Sequence, residues 1–245
     1  MTRFTLALGT AALALASQAA LAQDKADGLW HGGVSVGGAF SSGNNDSRTL
    51  AANADASRVT AQDKISLYGI ANYGRNEVDG VKTTTADLLR LGGRYDFNLG
   101  PQWFSFGAAE GETNKVGGVR DRYNLSGGVG YHLLKNDTHS WDVFGGVGYT
   151  DTRFTDHSRV HGAQALLGEE SGHKLSDTTT LKQRLVYYPG GGDLGSRATF
   201  DASLATQVSG GWTLNTGLSS RYASRVPAGT KKTDNLLTVG FGYKF

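Results

Sequence analysis

Leu236-Leu237-Thr238-Val239-Gly240-Phe241-Gly242-Tyr243-Lys244-Phe245 closes the chain, and its reading decides the fold. Leu237, Val239, Phe241, Tyr243 and Phe245 fall at every second position, so on a strand they leave by one face. Thr238, Gly240, Gly242 and Lys244 leave by the other. The same period recurs upstream. Trp212, Leu214, Leu218 and Tyr222 oppose Asn215, Ser219 and Arg221, while Phe200, Ala202, Leu204 and Val208 oppose Arg197, Asp201 and Gln207. Trp141, Val143, Val147 and Tyr149 form a further stripe, as do Tyr123, Leu125, Val129, Tyr131 and Leu133. Leu89, Leu91, Tyr95 and Phe97 oppose Arg90, Arg94 and Asp96. A helical period is sustained in none of these windows.

Between the stripes lie the Gly, Asn, Asp and Pro clusters that tight turns require, from Ser42-Gly43-Asn44-Asn45-Asp46 to Pro227-Ala228-Gly229. Eleven such clusters predict about twelve strands. The segment from Arg159 to Lys174 is the weak one, because Glu169-Glu170 and several Gly blur its period and leave a regular strand there open.

Composition narrows the classes further. Among 245 residues there are 36 Gly, 3 Pro and no Cys, with 10% aromatic and 19% charged residues. Without Cys there is no disulfide framework, thiolate metal site or cysteine nucleophile. A formal net charge of +2 is too small for a nucleic-acid footprint. At the N-terminus, Arg3 precedes an apolar run from Phe4 to Ala16, and Ala20-Leu21-Ala22 offers a small-x-small cleavage site before Gln23. Residues 1–22 are therefore expected to be a secretory signal peptide. Nothing after Gln23 approaches the ~20 apolar residues that a spanning helix needs.

An alternating apolar face suits a soluble sandwich core as well as lipid, so the opposite face is the discriminator. Here it mixes Gly, Ser, Thr and Asn with isolated charges, which fits a crowded polar lumen. Aromatics gather at strand ends: Tyr95 and Phe97, Trp103 and Phe104, Tyr131, Trp141, Tyr149, Trp212, Tyr222, Tyr243 and Phe245. Interfacial girdles of a transmembrane barrel belong there. A closed barrel also pairs every backbone polar group, leaving no edge in lipid. The expectation is an all-β fold: a closed antiparallel transmembrane β-barrel of about twelve strands over residues 23–245, with both ends in the periplasm. The alternative is a soluble periplasmic β-domain that binds a ligand or partner.

The first mature strand and turn, Trp30-His31-Gly32-Gly33-Val34-Ser35-Val36-Gly37-Gly38-Ala39-Phe40-Ser41-Ser42-Gly43-Asn44-Asn45-Asp46, resembles the opening of the salt-induced outer-membrane proteins, a bacterial family otherwise labelled a domain of unknown function. Gly93-Arg94-Tyr95-Asp96-Phe97, Gly128-Val129-Gly130-Tyr131 and Lys231-Lys232-Thr233-Asp234 are similar to later parts of it. The likeness spans most of residues 28–245, and it is the ordered set that carries it. Asn45 departs from the Thr usual in the Ser-Gly-Asn-Thr turn. The resemblance implies an outer-membrane barrel and brings no substrate, cofactor or catalytic residue. The final strand, with Phe241, Tyr243 and Phe245 in register, also resembles the signal that barrel assembly machinery recognises. Periplasmic chaperones, that machinery and outer-membrane lipid are thus the expected partners.

Catalytic chemistry finds little support. No His is followed two residues later by Ser, so the His-x-Ser pair expected of a barrel phospholipase is missing. His31, His132, His139, His157, His161 and His173 read as surface histidines, and no metal or cofactor is expected. Glu110 and Glu112 form an acidic pair that a rim protease would need, yet they read equally as solvated rim residues. That leaves the inward charges. If the aromatic stripes face lipid, Lys64, Arg90, Arg94, Arg120, Arg122, Lys182, Arg184, Arg197, Arg221, Arg225 and Lys244 face inward, with Asp55, Asp96, Asp142, Asp201 and Asp234. The excess is basic. Charged rings select by sign, so one expectation is a narrow pore preferring anions. The other is a stress-linked structural barrel whose charges pair and plug the interior.

Overall fold

A computed structural model of the chain describes residues 26–42, 47–78, 81–190, 194–224 and 232–245. The expected signal peptide with Ala20, Ala22 and Gln23, and the candidate Arg225, lie outside them, as does the side chain of Asp234. Twelve strands follow in chain order: β1 (Trp30–Ser42), β2 (Ser47–Val59), β3 (Asp63–Val78), β4 (Val81–Asn98), β5 (Trp103–Asn114) and β6 (Val119–Lys135). The second half comprises β7 (His139–Phe154), β8 (Arg159–Lys174), β9 (Thr179–Tyr188), β10 (Arg197–Ser209), β11 (Trp212–Ala223) and β12 (Thr233–Lys244). Every strand pairs antiparallel with its sequence neighbours, and β1 pairs with β12 to close the barrel. The segment left open becomes β8, a regular strand paired along its length with β7.

The alternation sets which way each side chain points. Leu91, Leu125, Val147, Leu167, Val208, Trp212, Phe241 and Phe245 are exposed on the outer face. Tyr95, Trp103, Trp141, Tyr149, Tyr222 and Tyr243 lie outward near strand ends. Phe104, however, points inward and is buried, so it leaves the girdle. Side chains close the turns at the end that carries the termini. Asn136 Oδ1 accepts from the amides of Thr138 and His139, and Thr60 Oγ1 from those of Gln62 and Asp63. At the other end Asp156 accepts from the Ser158 hydroxyl and amide, which holds its carboxyl below the usual range. His157, beside it, takes the left-handed conformation at φ 70°.

Two ladders pair glycine with glycine at close approach. At the β1–β12 seam Gly37 faces Gly240, and at the β6–β7 ladder Gly128 faces Gly146. A Cβ on Gly37, Gly128 or Gly146 would run into the backbone of the facing strand. Only glycine permits that approach. The two ladders are six strands apart around the ring, so they separate two halves of the wall, β1–β6 and β7–β12. Apolar inward side chains gather in two clusters. Ala51, Ile70, Leu88 and Leu236 form one, and Phe104, Phe106, Phe144, Leu166 and Val186 the other.

Candidate functional site

Beyond those apolar clusters the lumen is ionic, in two tiers. The tier nearer the termini centres on Arg94, whose Nη1 donates to Glu170 on β8 at 3.1 Å and whose Nε donates to Asp96 at 2.7 Å. Its guanidinium lies 4.8 Å from the ring centre of Phe106, 5.0 Å from Phe144 and 5.7 Å from Phe104. Three aromatic faces thus hold one cation, an arrangement that fixes it in place. Arg184 on β9 approaches Glu170 at 3.7 Å. Asp55 on β2 is buried inside the barrel. The Arg94–Glu170 contact links β4 to β8 across the lumen.

The second tier lies two turns of pleat further from the termini. Arg90 Nε donates to Glu112 at 2.8 Å, its Nη2 makes a second contact with the same carboxylate, and Glu110 lies 3.7 Å away. Arg122 donates from Nη1 to the other Glu112 oxygen at 3.4 Å and from Nε to Thr152 at 3.1 Å. Tyr68 donates its hydroxyl to Glu110. From the other half of the wall Arg221 holds Asp201 at 2.8 Å, and Ser219 donates to the same carboxylate at 2.8 Å. The Arg90 and Glu112 side chains are only 5% and 1% exposed, which excludes them from any continuous water column.

Three expectations need correction at this point. Glu110 and Glu112 are not rim residues: they sit at even positions of β5, whose inward face runs Phe104, Phe106, Ala108, Glu110, Glu112. Arg120 does not join the lumen. A bulge between Val119 and Asp121 turns Val119 inward, and leaves Arg120 exposed beside Asp121 at 3.1 Å. His132 is no surface histidine either. It is inside, with Nδ1 2.6 Å from Asp142 and its ring stacked on Phe104 at 4.8 Å between centroids. His139 and His173 do face outward, with Nδ1 atoms 3.0 Å apart. Among the described residues no three His, Asp or Glu converge as a metal site.

The remaining candidates, Arg90, Arg94, Asp96, Arg122, Lys182, Arg184, Arg197, Asp201 and Arg221, all occupy inward positions of their strands. What the sequence reading missed is acid. Among the described residues Glu110, Glu112 and Glu170 join Asp55, Asp96, Asp142 and Asp201 inside, seven carboxyls against nine cations once Lys64 and Lys244 are included. The basic excess nearly cancels.

With this geometry in view, comparison with known proteins gives the family. Residues 34–245 match the family described as protein of unknown function DUF481. The chain belongs to that family. A relative in it, the protein YdiY of Escherichia coli K12, is 25% identical over 216 residues, 87% of this chain and 82% of its own. Solved structures share the fold. The NanC porin aligns with a TM-score of 0.55 at 10% identity, over 86% of this chain and all of its own. The translocator domain of the autotransporter NalP of Neisseria meningitidis aligns at 0.51 and 12% identity, over 88% of each chain. The COG4313 outer membrane channel of Pseudomonas putida F1 does so at 0.51 and 12%, over 88% of this chain and 93% of its own. This DUF481 member is accordingly an outer-membrane β-barrel of the salt-induced outer-membrane protein family, with the architecture that porins and channels use.

Proposed function

We propose that the protein is a narrow, non-enzymatic outer-membrane channel whose lumen its own ion pairs constrict, so that it passes only small solutes. The observation that carries this reading is the Arg94–Glu170 bridge, which links β4 to β8 across the lumen. A guanidinium held by two carboxylates and three aromatic faces is a strut. The charges of both tiers are largely neutralised in place, so the sign preference expected from the basic excess is weak. The non-enzymatic part rests on occupancy. The acids that a hydrolase would use, Glu110 and Glu112, are engaged by Tyr68, Arg90 and Arg122. A general acid or base needs a free lone pair or proton aimed at substrate.

Swelling of liposomes that contain the refolded mature chain tests this directly. Small polyols should enter slowly, and disaccharides not at all. Rapid disaccharide entry in the wild type contradicts the constricted lumen. Folded, inserted protein that admits nothing would instead point to a purely structural envelope role.

Assembly forms a further part of the proposal. Phe245 lies outward at the closing seam, where its amide donates to Gly32 O at 3.0 Å and its carbonyl accepts from Gly32 N at 3.1 Å. Deleting Phe245 removes both bonds and the last aromatic of the strand offered to the assembly machinery. The amount of heat-modifiable barrel in outer-membrane fractions should then fall several-fold, while Phe245→Trp should be tolerated. An unchanged amount on deletion would remove the C-terminus from that role.

A further inference from the structure

Among the lumen guanidinium groups Arg197 is the exception. Each of Arg90, Arg94, Arg122, Arg184 and Arg221 has a carboxylate within ion-pair distance, whereas Arg197 has none among the described residues. It is held instead by neutral groups. Its Nη2 donates to Gln164 Oε1 at 2.7 Å, and its plane stacks 4.7 Å from the Tyr188 ring centre. The Gln164 amide is in turn fixed, since its Nε2 donates to Gly195 O at 2.9 Å. The Nε of Arg197 is buried and has no acceptor. Arg122, reaching in from β6, bears on Arg197 with like charge. Glu110 and Glu112 act on it from a distance, but both are engaged by Arg90, Arg122 and Tyr68.

A buried cation with an unused N–H and a like-charged neighbour costs free energy that an anion beside it would recover. Guanidinium edges match the planar or tetrahedral oxygens of carboxylate and phosphate, and charge-assisted bonds to them are the strong ones. We propose that Arg197, with Gln164 fixing its guanidinium, forms a binding site for the oxyanion group, carboxylate or phosphate, of a small solute. Arg197 opens β10, at the end of the barrel opposite the termini. The meaning of the site as a solute site rests on the channel reading; binding itself does not.

The test is equilibrium binding in detergent micelles, by calorimetry on the refolded mature chain at constant ionic strength. Acetate and inorganic phosphate are the probes, with chloride as reference. Saturable binding of acetate or phosphate is expected, and the tighter of the two identifies the oxyanion. Arg197→Gln should weaken it by about tenfold or more, Arg122→Gln by less, and Arg197→Lys should retain part of it. Lys174→Gln, at an outer turn, should change nothing. Heat-modifiable migration checks that each variant is folded. Failure of both oxyanions to saturate, or binding by Arg197→Gln equal to wild type, overturns the proposal. Because this readout needs no transport, its failure leaves the channel reading standing, and free conduction would leave the site standing.

Discussion

Glu112→Ala should lower the unfolding free energy of the refolded barrel by about 3–5 kcal/mol, the usual cost of leaving a buried charge without its partner. Glu112 holds Arg90 and Arg122 together, and its side chain is 1% exposed. Without it two guanidinium groups face each other at the second tier, with only Glu110 nearby. The triple change Arg90→Met/Glu112→Leu/Arg122→Met should behave differently. It removes the buried carboxylate together with both guanidinium groups it holds, so stability should return to within about 1–2 kcal/mol of wild type, because apolar replacements of buried ion pairs and triads are often neutral or better. Urea titration in micelles, followed by tryptophan fluorescence, reads both. A single change as mild as the triple one would mean that the tier is solvated and the lumen open there.

Gly128→Val and Gly37→Val should abolish most of the folded, heat-modifiable species, where Gly107→Val should not. At the first two glycines a Cβ would strike the backbone of Gly145 and Gly146, or of Val239 and Gly240. That obstruction is main chain, so no rotamer relieves it. Relief would require separating the paired strands there. Gly107 faces outward with nothing within 4 Å of its Cβ position, and valine favours strands. Equal folding of all three variants would show that these ladders are not built on glycine. The prediction is read from unboiled and boiled gel samples after refolding into micelles.

Much of this architecture was legible because a period of two is a direct consequence of strand geometry. Leu237 through Phe245, or Leu89 through Phe97, could be sorted into faces without coordinates, and the turn clusters counted the strands. The lumen was harder for a physical reason. Periodicity assigns a face, but it does not say which strands meet across an interior. Arg94 and Glu170 are separated by 76 positions and by three intervening strands. Glu170 also lay in the stretch whose period glycines obscured. Glu110 and Glu112 share their face with Phe104 and Phe106, and two buried phenylalanines on a polar side invert the usual signal. Arg120 was lost to a bulge, one residue that shifts the parity of those beyond it. The glycine richness of the inner face was visible from the start. Its use at two opposed ladders needed the register.

The central claim, that ion pairs across the lumen constrict it, is tested most directly by single-channel recording in a planar bilayer. Wild type would be compared with the Arg94→Ala/Glu170→Ala double variant, which removes both ends of the strut. Wild type should give small steps, with a reversal potential near zero in a salt gradient. The double variant should give discrete steps several-fold larger. Large ohmic steps already present in the wild type, unchanged in the double variant, would contradict the account.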